Sequence, residues 1–122
     1  MTFNPRTAYR EDWRYVDGVE DGVLVATDAD TGKDLDRHVD IKLVEGPVTH
    51  KGFAAAAAGM RMRTAELRVW PLKYDADMPR HGYIIRRGTV DWAIYGEPLH
   101  DPFGSFLCLC SLIGEREVAN AL

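Results

Sequence analysis

The sequence predicts a mainly β fold, a small antiparallel β-barrel or sandwich with long loops and at most one short helix. Several short runs alternate apolar with polar residues, which is the period of a half-buried strand. Turn sequences that contain glycine or proline separate these runs. Strong local helix composition is confined to Ala54–Ala58. At 122 residues the chain is expected to form one domain, residues 1–122.

The N-terminal half begins with a possible arm, residues 1–14, whose composition is too mixed to assign to a helix or an extended segment. A short apolar run at 23–26 predicts the first strand, and alternation across 39–44 predicts the second. These strands form a hairpin that encloses a polar loop from Thr27 to His38. Gly46-Pro47 ends the second strand, because proline cannot donate to the strand ladder.

Residues 51–63 are ambiguous and are treated as an inserted loop. Ala54–Ala58 favours a helix, but Gly52 and Gly59 bracket it so closely that an isolated helix would be marginal. Three alternatives stay open: a short helix packed on the sheet, a buried strand of small residues, or a mobile loop.

The C-terminal half carries the clearest strand signals. Ala65, Leu67 and Val69 alternate with Glu66 and Arg68, so they fall on opposite faces of a strand. Strands are predicted near 64–70, 83–87, 90–95 and 106–113, with turns at Arg86–Thr89 and Asp101–Gly104. The predicted core comprises Leu67, Val69, Ile84, Val90, Trp92, Ile94, Phe106 and Cys108.

Charge is distributed unevenly along a chain whose formal net charge is −4. Residues 1–50 carry six basic against eleven acidic side chains, whereas residues 61–87 carry seven against three. The acidic total argues against a general nucleic-acid binder, which needs a dominant basic field. The asymmetry favours contacts between copies or with other proteins, although a solvated surface of scattered charges explains it equally well.

The sequence gives no sign of a membrane span or a secretion signal. No apolar run approaches the ~20 residues that cross a bilayer, and residues 1–15 lack the apolar stretch of a signal peptide. We therefore expect a soluble protein made in the cytoplasm. Cys108 and Cys110 lie too far apart along an extended strand for an easy disulfide, so they are interpreted as small core or interface residues.

Metal and cofactor motifs are missing from the sequence. The acidic segment 28–39 fails the EF-hand template, because Gly32, Lys33 and Val39 occupy three of its defined positions. The four histidines are scattered and show no zinc-ligand spacing. No phosphate-binding glycine loop is present either. The prediction is no metal and no cofactor.

Catalytic motifs are missing as well. The candidate nucleophiles Ser105, Ser111, Cys108 and Cys110 lie in or beside one apolar strand, with no nucleophile-elbow sequence around them. The chain is therefore predicted not to be an enzyme.

The order of the C-terminal strands and turns resembles small tailed-phage head–tail joining proteins, also called head-closure or head-completion proteins. The resemblance covers roughly the C-terminal half and consists of spacing and hydrophobic pattern. The matching residues are Leu67, Val69, Pro79, Gly82, Ile84, Gly88, Val90, Trp92, Ile94, Pro98, Gly104, Phe106 and Leu109. The alanine run and the acidic N-terminal half depart from that pattern.

The resemblance implies a structural virion protein that forms a homo-oligomeric ring between the phage head and tail. Its expected partners are further copies of itself, the portal or adaptor and the tail proteins, with genomic DNA passing through the lumen without specific binding. Its expected location is the host cytoplasm during assembly and then the virion. It would also favour the mobile-loop alternative for residues 51–63.

Interface residues are expected in the arm from Thr2 to Trp13, in the loop from Gly52 to Met62 and in the connection from Trp70 to Arg80. The candidates are Phe3, Tyr9, Trp13, Phe53, Met60, Arg61, Arg63, Trp70, Tyr74 and Arg80. The alternative is an OB-like single-stranded nucleic-acid-binding domain. Its aromatic side chains would be Trp70, Tyr74, Tyr83, Trp92 and Tyr95, and its arginines Arg61, Arg63, Arg68, Arg86 and Arg87.

Overall fold

The computed structural model describes residues 12–72, 78–101 and 104–115 of the chain. A short 3-10 helix at Asp12–Tyr15 precedes the first strand. The strands are β1 (Glu20–Thr27), β2 (Asp34–Gly46), β3 (Thr64–Pro71), β4 (Ile84–Arg87), β5 (Val90–Ile94), β6 (Leu99–His100) and β7 (Phe106–Glu115). Helix α1 (Lys51–Ala57) lies between β2 and β3.

The strands form a closed antiparallel barrel built from two three-stranded meanders. One meander is β1-β2-β3 and the other is β4-β5-β7. Antiparallel pairing of β1 with β4 and of β3 with β7 joins them into a six-stranded ring of hydrogen bonds. The two-residue β6 pairs with the beginning of β7. The prediction of a mainly β fold with at most one short helix is confirmed. The sequence left a barrel and a sandwich as alternatives, and the structure is a barrel.

The barrel interior is filled by side chains that alternate along each strand. Leu24 and Ala26 of β1, Ile41 and Leu43 of β2, and Ile85 of β4 are almost fully buried in it. Six of the predicted core residues are buried: Leu67, Val69, Trp92, Ile94, Phe106 and Cys108. Val90 is partly buried and packs against this cluster. The interior is thus a packed core.

Ile84 was wrongly predicted to belong to the core. Its neighbours Tyr83 and Ile85 are the buried residues of this strand, and Ile84 is only partly buried. Successive strand residues point to opposite faces, so the burial of Ile85 excludes Ile84 from the same face. Because Ile84 and Ile85 are both apolar, the alternation of apolar and polar residues could not indicate which of them faces the barrel interior.

The predicted strands all correspond to strands of the barrel, but the first hairpin loop is much shorter than predicted. The strand β2 begins at Asp34, so the loop spans residues 28–33 and does not extend from Thr27 to His38. The beginning of β2 is exposed on both faces and therefore lacks the apolar alternation that marks a strand. The second hairpin is confirmed, with Gly88 at φ 60° in the turn between β4 and β5.

The described residues include no helix of the length and apolar character that a membrane crossing requires.

Candidate functional site

Residues 50–63, here called the platform, cover one end of the barrel between β2 and β3. The helix α1 begins after His50 and spans seven residues. The buried carboxylate of Glu66 on β3 accepts hydrogen bonds from the backbone N–H groups of Thr49 and His50. Phe53 is buried and contacts the His50 ring, with ring centroids 5.0 Å apart. Of the three alternatives for this segment, the packed short helix is the one observed.

After Lys51, the outer surface of the platform is apolar and uncharged as far as Met60. Ala54, Ala55 and Ala58 are exposed, and Met62 is 52% exposed. A solvent-facing helix normally carries charged or polar side chains on this face. The exposed alanines and Met62 therefore form a surface with the composition of a contact face.

Ile113 of β7 lies at the same end of the barrel as the platform. The backbone N–H of Leu112 donates to the carbonyl of Arg63 at 2.8 Å, which joins β7 to the end of the platform. Asp91 pairs with Gly114 and Trp92 with Leu112, so Ile113 is the extra residue of a β-bulge. Bulges re-aim side chains, and Ile113 is 50% exposed.

Ion pairs connect two arginines, Arg63 and Arg87, with carboxylates at the platform end of the barrel. The Arg87 guanidinium lies 2.8 Å from the Glu45 carboxylate and 3.3 Å from that of Glu20. Arg63 lies 3.7 Å from the other Glu45 oxygen and 5.9 Å above the centroid of the Trp92 ring. Arg87 thus balances the nearby carboxylates, while Arg63 stays 68% exposed.

Residues 28–37, here called the hairpin end, lie at the opposite end of the barrel. Backbone N–H groups of Thr31 and Asp30 donate to the Asp28 carboxylate, and these bonds lower the pKa of Asp28. Asx-turn bonds of this kind are the loop chemistry expected for an acidic hairpin loop. The loop is therefore ordered by its own side chains.

A second irregularity shapes the hairpin end at the beginning of β2. Residues 35–37 stand opposite Ala26 alone, since Val25 pairs with His38 and Thr27 with Asp34. Asp36 has a left-handed backbone with φ 57°, and Leu35 is 38% exposed. This segment exposes part of Leu35, whose neighbours in the chain, Asp34 and Asp36, are exposed carboxylates.

His38 and Asp34 form an exposed pair on the same strand. The His38 Nε2 atom lies 2.8 Å and 3.0 Å from the two Asp34 carboxylate oxygens. The hydrogen bond from His38 is the main cause that lowers the pKa of Asp34. The pair borders a shallow cleft of about 400 Å³ on the outer face of β2, β1 and β4. Its lining is Asp21, Gly22, Val23, His38, Asp40, Arg86 and Gly88.

The cleft lining holds no serine, threonine or cysteine that the His38–Asp34 pair could activate. The two thiols lie elsewhere, in the barrel core. Burial raises the pKa of Cys108 to about 12 and that of Cys110 well above its ordinary range. Both side chains are thus held as thiols, the unreactive form. Within the described ranges no group of three His, Cys, Asp or Glu side chains is placed to hold a metal ion.

The predicted interface residues divide into four groups. Met60, Arg61 and Arg63 come together on the platform, Arg61 and Arg63 exposed and Met60 partly buried. Arg80 is exposed near the beginning of β4. Phe3, Tyr9 and Tyr74 lie outside the described residues, as do most of the possible arm and part of the connection between β3 and β4.

Three of the predicted interface residues are buried or partly buried in the single chain. Phe53 contacts the His50 ring and Trp70 is 3% exposed, so neither ring is open to solvent, and their interface role stays a prediction. Trp13 is partly buried, with the Lys42 ammonium 4.8 Å above its ring centroid. Large aromatic side chains gain more from burial than from exposure, which explains these positions.

Sequence reasoning missed several exposed apolar residues as site candidates, namely Val16, Leu35, Met62, Leu99 and Ile113. A glycine inside a strand pattern signals a bulge, so Gly114 directly after Ile113 was a usable indication. No comparable signal marks Leu35, because its exposure depends on pairing between β1 and β2.

Several side chains proposed for base stacking are unavailable for it. Trp70, Tyr83 and Trp92 are buried, whereas Tyr95 is 48% exposed. Arg86 and Arg87 face carboxylates, and Arg68 donates to the Ser105 hydroxyl at 2.9 Å. The nucleic-acid-binding alternative therefore gains no support from these positions.

Comparison with known proteins found no matching family model, no matching curated protein and no matching solved structure.

Proposed function

We propose that this protein is a structural assembly protein whose copies associate into a closed ring. Following the sequence resemblance, the ring is a head-completion connector of a tailed phage, located between the portal and the tail. It works by repeated contact between neighbouring copies, with loops reaching portal or adaptor proteins on one side and tail proteins on the other. This role requires no catalytic step and no cofactor.

The observation that carries the proposal is the pair of different exposed surfaces at opposite ends of the barrel. The platform end exposes Met62 and Ile113, and the hairpin end exposes Leu35. A contact between two different surfaces is heterologous, and it builds a ring when the rotation between copies closes. Met62 and Ile113 lie at one end and form the apolar surface of the pair, whereas the hairpin end is distinguished by its aspartates together with Leu35.

Barrel closure restricts how copies can associate. Each strand of the six-stranded barrel is paired on both sides over at least part of its length. Within the described residues, β2 pairs with β3 only from Ile41 onward, so residues 34–39 keep one unpaired edge. Where the strands are paired on both sides, association has to use side chains and loops, which supports a ring of intact barrels.

The acidic character of the chain supports passage of DNA without capture. The formal net charge is −4, and an acidic lumen repels phosphate groups. A ring of this composition would let genomic DNA pass through without specific binding.

The first experiment measures the mass of the purified protein by light scattering across a micromolar concentration series, with negative-stain electron microscopy of the same samples. We expect one discrete oligomer and ring-shaped particles. A monomer at every concentration, or open filaments alone, would contradict self-assembly into a ring.

The second experiment addresses the phage role and the alternative function. Deleting the gene from a phage that encodes it should leave DNA-filled heads and tails unjoined, whereas normal particles would contradict the connector role. In parallel, a labelled single-stranded oligonucleotide should not bind at physiological salt. Salt-dependent binding of that oligonucleotide would favour the nucleic-acid-binding alternative instead.

A further inference from the structure

We propose that the platform of one copy binds the hairpin end of a second copy of this chain. The inference rests on the proposed assembly function and names the two surfaces that meet. It follows from the charge, the exposed apolar side chains and the position of these two surfaces.

The charges of the two surfaces are complementary. Residues 51–63 contain Lys51, Arg61 and Arg63 and no acidic residue, and all three basic side chains are exposed. Residues 28–37 contain four aspartates against Lys33 and Arg37, so their formal charge is negative. Opposite fields steer two surfaces together and disfavour contact between like surfaces. Platform-to-platform and hairpin-to-hairpin contacts are therefore unfavourable.

Each surface also exposes apolar side chains beside its charged residues. Leu35 is 38% exposed in the irregular segment of the hairpin end, next to Asp34 and Asp36 in the chain. On the platform, the small side chains of α1 allow close approach, and Met62 provides a flexible apolar contact. Protein interfaces usually combine apolar side chains with polar ones.

Both surfaces are ordered before any partner binds. Glu66 holds the chain that enters α1, and Arg63 is positioned between Glu45 and the Trp92 ring. At the other end, the Asp28 carboxylate closes the loop through two backbone hydrogen bonds. Surfaces that are already ordered lose less conformational entropy on association, which favours binding.

The positions of the two surfaces favour a head-to-tail chain of copies. The hairpin end includes the beginning of β2, and the platform follows the end of the same strand. The 13-residue strand β2 separates the two surfaces, so each surface can bind a different copy. Each copy can therefore contact two neighbours, one through each surface.

The test reverses charges on each surface and then combines the reversals. Asp30→Lys alters the hairpin end and Arg61→Glu alters the platform, both at exposed positions. Asp40→Lys is the matched control, because Asp40 is an exposed aspartate in the middle of β2, away from both surfaces. Association is measured by sedimentation velocity at constant ionic strength, and folding by the melting temperature of each variant.

Each single reversal should weaken association by about tenfold, while Asp40→Lys stays close to the wild type. The double variant Asp30→Lys/Arg61→Glu should recover most of the lost affinity, because every interface then carries the swapped pair. Leu35→Ser should also weaken association without changing the melting temperature, since Leu35 is an apolar side chain of the hairpin end and is exposed in the single chain.

The outcomes separate this inference from the proposed function. Wild-type protein that never oligomerises would contradict the assembly function itself. Wild-type oligomers that resist both reversals and Leu35→Ser, or reversals whose combination gives no recovery, would overturn the platform-to-hairpin contact and leave the ring proposal intact.

Discussion

Ile84 and Ile85 are adjacent residues of the same type with different burial. Ile85 is fully buried in the barrel and Ile84 is partly exposed. Ile85→Ala should lower the free energy of unfolding by about 2–5 kcal/mol, because it removes buried methyl groups and leaves a cavity. Ile84→Ala, the matched control, should cost clearly less. Chemical denaturation of both variants checks the register of β4, and equal losses would contradict it.

The two thiols make the stability of the barrel dependent on alkaline pH. Burial raises the pKa of Cys108 from the ordinary 9.0 to about 12, so the folded state disfavours the thiolate. Their stabilising contribution is complete below about pH 9 and is lost as the pH rises toward 12. We expect the free energy of unfolding to fall over this window. A Cys108→Ala/Cys110→Ala variant should show a smaller fall.

Thiol labelling provides a second measurement of the same property. In native protein at pH 8, a thiol reagent should modify Cys108 and Cys110 far more slowly than in unfolded protein. Labelling of the native protein at the unfolded rate would show that the thiols are accessible. The sequence already predicted that the cysteines are small core or interface residues, whereas their raised pKa follows from burial in the assembled barrel.

The conformation of helix α1 depends on Glu66, a residue outside the helix. Glu66 lies on β3 and accepts the backbone N–H groups that precede the helix. A seven-residue alanine-rich segment is marginal by itself, so local sequence could not choose between helix, strand and loop. The strands were easier to predict, since their alternation is a local signal. The exposed beginning of β2 lacked that signal and was missed.

Replacing Glu66 tests this anchoring. Glu66→Ala should cost about 1–3 kcal/mol, because two backbone N–H groups lose their acceptor. Hydrogen exchange should rise across residues 49–57 while strands β1 and β5 keep their protection. The exposed Glu97→Ala serves as the control. Unchanged exchange in the helix would show that Phe53 alone is sufficient to hold it.

At the scale of the whole molecule, closure of the barrel depends on pairings that no local pattern contains. The sequence left barrel and sandwich open, because both require the same alternating strands. The contacts β1–β4 and β3–β7 decide between them, and each joins segments far apart in the chain. The platform and the hairpin end lie apart because they adjoin the two ends of β2, whereas the approach of Ile113 to the platform depends on the β3–β7 pairing, so the candidate interface was only partly predictable.

Gly22 lies on β1 beside β4, where the two meanders meet. A Cβ atom at this position would lie 2.5 Å from the Leu43 Cδ2 atom and 2.9 Å from the Arg86 carbonyl oxygen. The Leu43 side chain is buried and the Arg86 contact is backbone, so relief requires β4 to move away from β1. Gly22→Ala should therefore destabilise the barrel by about 1–3 kcal/mol through overpacking.

Gly46 on β2 is the matched control for this substitution. It is also a strand glycine, and a Cβ atom there would have no described neighbour within 4 Å. Gly46→Ala should leave the stability unchanged or raise it by up to about 1 kcal/mol, because alanine restricts the unfolded chain. Thermal and urea unfolding of both variants measure the difference. If Gly22→Ala and Gly46→Ala change the stability equally, the pairing of β1 with β4 tolerates a side chain at residue 22. The close approach of these two strands would then not be required for the stability of the barrel.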